Sequence, residues 1–437
     1  MTAELVITGG RLIAPAGSED AGAASVDVVI EGGHIAAVVP AGQAPAARRT
    51  LDASDAWIMP GFVDIQVHFR TPGATDSEDM DSGAAGAAMG GVTACVIMPN
   101  TNPPIDTPDM VNEVLALAAG VPCDIRTSAA ITQGRAGERL ADLAALYDAG
   151  VRVFTDDGDC VADDALMEAA LAATVRLPGA VISQHAENPA MVAGGVINAG
   201  AVAERLGLRG RPAEAEVSVV HRDIELARRT GGRYHVLHLS VAAAMYLVAR
   251  AKRDGVAVTA EVTPQHLVLS EDDVERLGTT GKMNPPLRLA NDVAALRRGI
   301  VDGSLDAVAT DHAPHHPSLK ERPLVDAPPG MIGVETMASV VWSELVASGQ
   351  MTPARFVEVV STAPARIAGI IDHGQPIAVG SPANVTVFDP TESWIVRAAD
   401  LQSRSLNSPW AGRTLTGRVR HTVLAGRPVV ANNDLCA

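Results

Sequence analysis

Aromatic side chains are scarce in this 437-residue chain: five Phe, four Trp and three Tyr make up 3% of it. The core is therefore expected to consist of Ala, Val, Leu and Ile. Cysteine is rarer still. Cys95, Cys123, Cys160 and Cys436 are scattered, with no Cys-x-x-Cys pair. That spacing excludes a disulfide framework and fits reduced thiols in a cytosolic protein. Positive charge is also short, 34 Lys and Arg against 51 Asp and Glu, a net −17. Such a balance argues against nucleic acid or an anionic membrane surface as partner. It leaves room for a small anionic substrate, because a local Arg or a metal outweighs the distant field. No apolar run reaches membrane-spanning length. The first residues also lack the basic segment and apolar run of a secretory signal. A soluble, cytoplasmic protein is the expectation.

Alternation is what the chain does have. Near its start, Leu5-Val-Ile-Thr-Gly-Gly and Val26-Asp-Val-Val-Ile-Glu-Gly-Gly place Gly-Gly turns beside β-branched runs. Ala383-Asn-Val-Thr-Val-Phe and Gly417-Arg-Val-Arg-His-Thr-Val-Leu give the end the same character. The two ends are expected to form one small β-sandwich domain, residues 1–58 plus 378–437. Between them, in 59–377, strand-like runs end near His68, Pro99, Ile131, Asp157, His185, Ser240, Thr263 and Asp311. Amphipathic helices are expected between these runs, for example over 109–119, 138–149, 163–176 and 241–255. Eight strands each followed by a helix predict an α/β fold of the (β/α)8 barrel type. The Pro-rich stretch 312–330 reads as a long loop after the eighth strand.

The first of these strands is the most informative. In Val63-Asp-Ile-Gln-Val-His-Phe-Arg, period two sends Asp64, Gln66 and His68 to one face. A polar face on a buried strand is costly unless it lines a site. Candidate metal ligands then stand at five barrel exits: His68, Asp157, His185, His238 and Asp311. Any one of them has a local explanation, a satisfied core His or an Asp that caps a turn. Three His and two Asp at the end of a barrel where active sites are built suit Zn²⁺ or a similar divalent ion, one or two of them.

The motifs Pro60-Gly-Phe-Val-Asp-Ile-Gln-Val-His-Phe-Arg-Thr-Pro-Gly, Met98-Pro-Asn-Thr-Asn-Pro-Pro, Thr155-Asp-Asp-Gly, His185-Ala-Glu-Asn, Leu237-His-Leu-Ser, Lys282-Met-Asn-Pro-Pro-Leu-Arg and Asp311-His-Ala-Pro-His resemble those of class I dihydroorotases, in the amidohydrolase superfamily. The resemblance runs in order from about residue 5 to 430. It implies reversible hydrolysis of dihydroorotate to N-carbamoyl-aspartate. It also implies that His68, Asp157, His185, His238 and Asp311 hold metal, with Asp311 the catalytic proton shuttle. Arg70, Asn100 and His315 would clamp the substrate carboxylate, and Asn284 would read the ring amide edge. The family's dimers and its association with aspartate transcarbamoylase become expectations too.

One position departs from the family pattern. The family carries His-x-His at the end of the first strand, and this chain carries Gln66-Val67-His68. A neutral amide oxygen is a weaker Zn²⁺ ligand than imidazole, so the first metal position is expected to be weakened or lost. Smaller departures are Thr263-Pro-Gln-His266, where the family often has two consecutive His, and Ala186 where Cys is usual. Two other readings stay open: a catalytically silent homologue retained as a structural partner, and a hydrolase of another cyclic ureide.

Overall fold

The computed structural model of the chain describes residues 2–13 and 24–436. Residues 1, 14–23 and 437 of the expected β domain lie outside the described residues. Five strands open the chain: β1 (Ala3–Leu12), β2 (Ser25–Glu31), β3 (His34–Pro40), β4 (Ala47–Asp52) and β5 (Trp57–Pro60). Gly32 and Gly33 turn β2 into β3 with φ of 54° and 77°. Both central residues of such a hairpin need positive φ, which only glycine adopts freely.

Eight parallel strands then build the barrel. They are β6 (Phe62–Val67), β7 (Val92–Ile97), β8 (Asp124–Thr127), β9 (Val153–Phe154) and β10 (Val181–Gln184), and, beyond a short parallel pair β11 (Ile197–Asn198) and β12 (Gly210–Arg211), β13 (Tyr234–Val236), β14 (Val258–Val262) and β15 (Ala307–Val308). Ladders join β6-β7-β8 and β9-β10-β13-β14-β15. Two joints close the ring. The Ala129 amide donates to Val153 O at 3.1 Å and Thr155 returns a bond to Ala129 O at 2.9 Å; the His68 amide donates to His312 O at 2.8 Å. Among the described residues each barrel strand thus has a bonded neighbour on both sides.

All six residues of β6 are buried, Asp64 and Gln66 included. Its polar face therefore does not meet water. Asp64 accepts from the Thr310 amide and hydroxyl and from the Gln66 amide, while burial pushes its carboxyl up to about 7.

The helices between the strands are set by their caps. Asp163 accepts from the Leu166 amide and starts the helix Asp164–Thr174. The helix expected over 138–149 begins later, at Leu143–Asp148, capped by Asp142. The residues ahead of it are held as a loop, because Gln133 donates to Arg139 O and Leu140 O, and Ala141 to Ile131 O. The loop 312–330 carries one short helix, Pro317–Lys320.

Helix Glu214–Thr230 lays Asp223 against β10, where its carboxylate pairs with Arg222 at 2.7 Å and accepts from Gln184 Nε2. Burial raises the Asp223 carboxyl to about 6 in spite of Arg222. That native value lies above the ordinary one of about 3.9. Its contribution to stability is therefore complete below about pH 4 and is lost as pH rises through 6. Asp223→Asn is expected to remove about one proton from the slope of stability against pH in that window. Denaturant melts at pH 4, 5, 6 and 7 read this directly, and an unchanged slope would contradict it.

The chain ends in β16 (Val385–Ile395), β17 (Thr414–Leu424), β18 (Arg427–Ala431) and β19 (Asp434–Leu435). β16 runs antiparallel to β5, setting Val385 opposite Pro60 and Phe388 opposite Trp57. β5 in turn touches β1 through Trp57 and Ile58. Strands from both ends thus share one nine-stranded sheet. Leu5, Ile7, Val28, Ile35, Ile58, Val385 and Val423, drawn from both ends, pack in one core on it.

Candidate metal centre and active site

The C-terminal ends of the barrel strands aim the candidate residues at one another. His68 directly follows β6, and His185 directly follows β10. Asp157 and Asp311 stand three residues beyond β9 and β15, and His238 two beyond β13. Arg70, His238 and Asp311 hold φ of 52°, 32° and 49°. Such conformations persist where surrounding structure forces a side chain into a set direction.

Asp157 is the hub. Its Oδ2 lies 3.3 Å from His68 Nε2, and its Oδ1 lies 3.4 Å from His238 Nε2 and 3.8 Å from His185 Nδ1. Asp311 Oδ1 is 3.0 Å from His68 Nε2, and His185 Nδ1 is 3.0 Å from His238 Nε2. Two triads result, His68–Asp157–Asp311 and Asp157–His185–His238, all buried.

Hydrogen bonds around the triads fix how their rings are turned. The Asn100 amide oxygen only accepts, so His68 donates to it from Nδ1 at 2.9 Å. His68 Nε2 in turn faces Asp157 Oδ2 and Asp311 Oδ1. Similarly, His185 donates from Nε2 to Glu187 Oε2 at 3.3 Å, leaving Nδ1 to face His238 and Asp157. The electrostatics agree. Burial works against a charged His238, yet the bond to Asp157 and the charges of Asp311 and Asp157 raise it to about 9. Burial also opposes the charge on Asp157, but His238, His68 and His185 hold it below the usual carboxylate range. Imidazole and carboxylate donors gathered around a point that attracts positive charge fit a divalent cation, with Asn100 and Glu187 orienting the rings from outside.

The expected substrate residues lie at different removes from this centre. Arg70 spends its Nε on Pro314 O at 3.2 Å, and its side chain makes no other hydrogen bond among the described residues. Burial lowers it to about 10 against the pull of Asp311 and Asp157, so it stays charged at neutral pH. Asn100 touches His68. Asn284 makes no direct bond to the five ligand candidates; its oxygen accepts from Arg211, which also donates to Glu187 Oε2 at 2.8 Å. His315 stands apart as well, its Nε2 2.8 Å from Pro329 O. Burial and the charges of Arg70 and Lys320 push it down to about 3, so its ring is neutral.

Sequence reasoning missed Arg211, Arg288 and the orienting part of Glu187. Arg288 is 1% exposed and lies 3.6 Å from Glu187 Oε1. Arg-Pro after a glycine at 210–212 was the available signal for Arg211, and it is a weak one.

A (β/α)8 barrel with His and Asp donors gathered at its strand ends suits metal-assisted hydrolysis. Comparison with known proteins narrows the class. Residues 56–243 match the family described as Dihydro-orotase-like. The chain is 44% identical over 432 residues to a dihydroorotase of Anaeromyxobacter dehalogenans, covering 98% of each. It is 42% identical over 416 residues to one of Mycobacterium tuberculosis, covering 94% of this chain and 96% of that one. Among solved structures, the L-hydantoinase (dihydropyrimidinase) of Arthrobacter aurescens superposes with a TM-score of 0.89 at 26% identity, covering 100% of this chain and 98% of the other. The chain belongs to the dihydroorotase family.

Proposed function

We propose that this chain catalyses the reversible hydrolysis of dihydroorotate to N-carbamoyl-L-aspartate, a step of pyrimidine biosynthesis. The convergence of the two triads with Arg70 and Asn100 at one barrel mouth carries this reading, together with near full-length identity to dihydroorotases. His185, His238 and Asp157 would hold one divalent ion, and His68, Asp157 and Asp311 a weaker second, with Zn²⁺ the ion the imidazoles favour. When bound, such an ion supplies Lewis acidity toward water and the ring carbonyl.

The remaining chemistry belongs to side chains. Water oxygen bonds to the ring carbonyl carbon, and the carbon–nitrogen bond breaks. Asp311 takes the water proton and returns it to the departing nitrogen. His68, 3.0 Å away, holds that carboxylate in place. Arg70 has its terminal nitrogens left to fork onto the substrate carboxylate, and Asn100 adds an amide beside it. His315, being neutral, contributes a hydrogen bond and no charge. Asn284 gives its oxygen to Arg211, so its NH₂ is left to read the ring carbonyl edge.

Among the described residues no helix is long and apolar enough to cross a membrane. A cytoplasmic setting, a homodimer through Ala-rich helices, association with aspartate transcarbamoylase, and domain limits of 1–58 plus 378–437 and 59–377 belong to the same proposal. The structural likeness to a hydantoinase favours a second reading, hydrolysis of another cyclic ureide; Arg70, which would pair with a carboxylate that plain hydantoin lacks, weighs against it.

The deciding experiment measures N-carbamoyl-aspartate release by purified protein, with hydantoin as the rival substrate. Turnover of dihydroorotate is expected to vanish with chelator and return with Zn²⁺. Folded, metal-supplied protein that leaves dihydroorotate intact would overturn the proposal.

A further inference from the structure

The segment 405–410, Ser-Leu-Asn-Ser-Pro-Trp, precedes β17 in the chain but packs against the loop that follows β15. Trp410 anchors it: 1% exposed, it shares an apolar cluster with Met283, Leu287 and Met331. Ser405 adds a second tie, its hydroxyl donating to Ser77 O at 2.7 Å. Between these ties stands Asn407, which is buried. Its Nδ2 donates to Ala313 O and to Gly330 O, both at 3.0 Å, and its Oδ1 accepts from the His315 amide at 3.4 Å. Carbonyls only accept and a backbone amide only donates, so these three partners fix which end of the carboxamide is oxygen. One buried side chain thus joins the two feet of the loop 313–330. The feet stand close: a Cβ on Gly330 would come within 2.6 Å of Ala313 Cβ, which leaves room for glycine alone.

Both feet carry the side chains read above as binding the substrate carboxylate. Pro314, between two residues that Asn407 grips, accepts the Arg70 Nε at 3.2 Å on its carbonyl. His315 Nε2 lies 2.8 Å from Pro329 O, beside the other foot. Lys320 braces that foot from within the loop, its Nζ on Pro328 O at 2.9 Å and Gly330 O at 3.0 Å. A planar guanidinium held by one N–H has its fork aimed by where that acceptor stands. We propose that Asn407 is the positioning residue of the carboxylate clamp. By holding 313–315 against Gly330 it sets where the Arg70 fork and the His315 ring stand, and so favours ring substrates that bear a carboxylate. The inference rests on the reading of Arg70 and His315 given above. Among the described residues the Asn407 side chain bonds to none of the five metal-ligand candidates, so it acts on binding and not on bond breaking.

The test uses metal-loaded, full-length protein with dihydroorotate as substrate. A shift of about 1 Å in a positioned group costs up to about a hundredfold, and binding lost equally from ground and transition states shows as a higher KM. Asn407→Ala is therefore expected to raise KM about tenfold with kcat nearly unchanged. Metal content should stay at the wild-type value. Hydrogen exchange should speed up across the loop, where the Ala313 and Gly330 amides donate to Met331 O and Lys282 O at 2.8 Å each. A double-mutant cycle separates positioning from general loosening. With Arg70→Met in place, Asn407→Ala should cost far less in kcat/KM than it does alone, because the fork it aims is gone. The full cost in both backgrounds, a fall in kcat at constant KM, or unchanged exchange over 313–330 overturns the role of Asn407. Circular dichroism melts check folding; should the Ala variant not fold, Asn407→Ser, whose hydroxyl falls short of the two carbonyls, is held to the same outcomes. Wild-type protein that leaves dihydroorotate intact overturns the functional reading, and the role of Asn407 with it; wild-type turnover beside an unaltered variant overturns the role of Asn407 alone.

Discussion

His238→Ala is expected to abolish turnover while the protein stays folded. The side chain sits past the end of β13, outside the apolar core, so its removal takes a ligand from the centre and not a support from the barrel. Two contacts disappear with it: the one at 3.4 Å to Asp157 and the one at 3.0 Å to His185. Removing a group that merely orients a metal ligand costs about 10–100-fold in affinity or activity. Loss of the ligand itself should therefore exceed about a hundredfold in kcat/KM. One equivalent of metal should be lost in parallel, with the circular dichroism spectrum unchanged. Retained activity would remove the metal assignment at His185 and His238.

Asp311→Asn is expected to lower kcat by about 10²–10⁴-fold, the range for loss of a positioned proton-transfer group, with KM nearly unchanged. The amide keeps the shape and the contact with His68, but it cannot take a proton from water. Metal content separates the two parts assigned to Asp311. The ion at His185 and His238 should be retained in full, since Asp311 belongs only to the other triad. A fall in that first equivalent would mean that the residue supports the whole centre. An unaltered kcat would place the proton elsewhere.

How far the sequence disclosed this centre depended on how local each signal was. The period of two in β6 separated Asp64, Gln66 and His68 from the apolar face but left open whether that polar face met water; the burial of all six residues answers it. β9 and β15 are two residues long each, too short for periodicity, and were found through the polar residues that follow them. The late start of the helix at Leu143 was hidden, because bonds from Gln133 and Ala141, and not propensity, hold the preceding loop. Asn284 reaches the centre only through Arg211 and Glu187, partners far away in the chain with no spacing rule to announce them. The orphaned oxygen of Gln66 was equally invisible: a sequence shows that an amide is present, and only a packed barrel shows that it is unpaired.

The pairing of β5 with β16 bears on how the molecule comes into being. Pro60, two residues ahead of the strand that carries Gln66 and His68, is clamped by Val385, more than 300 residues later. That clasp cannot form until the ribosome has released residue 385. Closing so large a loop costs only logarithmically more than closing a short one, but it places the step late and lengthens the time during which barrel strands stand exposed. The strand that carries His68 is thus tethered by a segment made more than 300 residues later, so a chain cut short before residue 385 would lack the β clasp that anchors it.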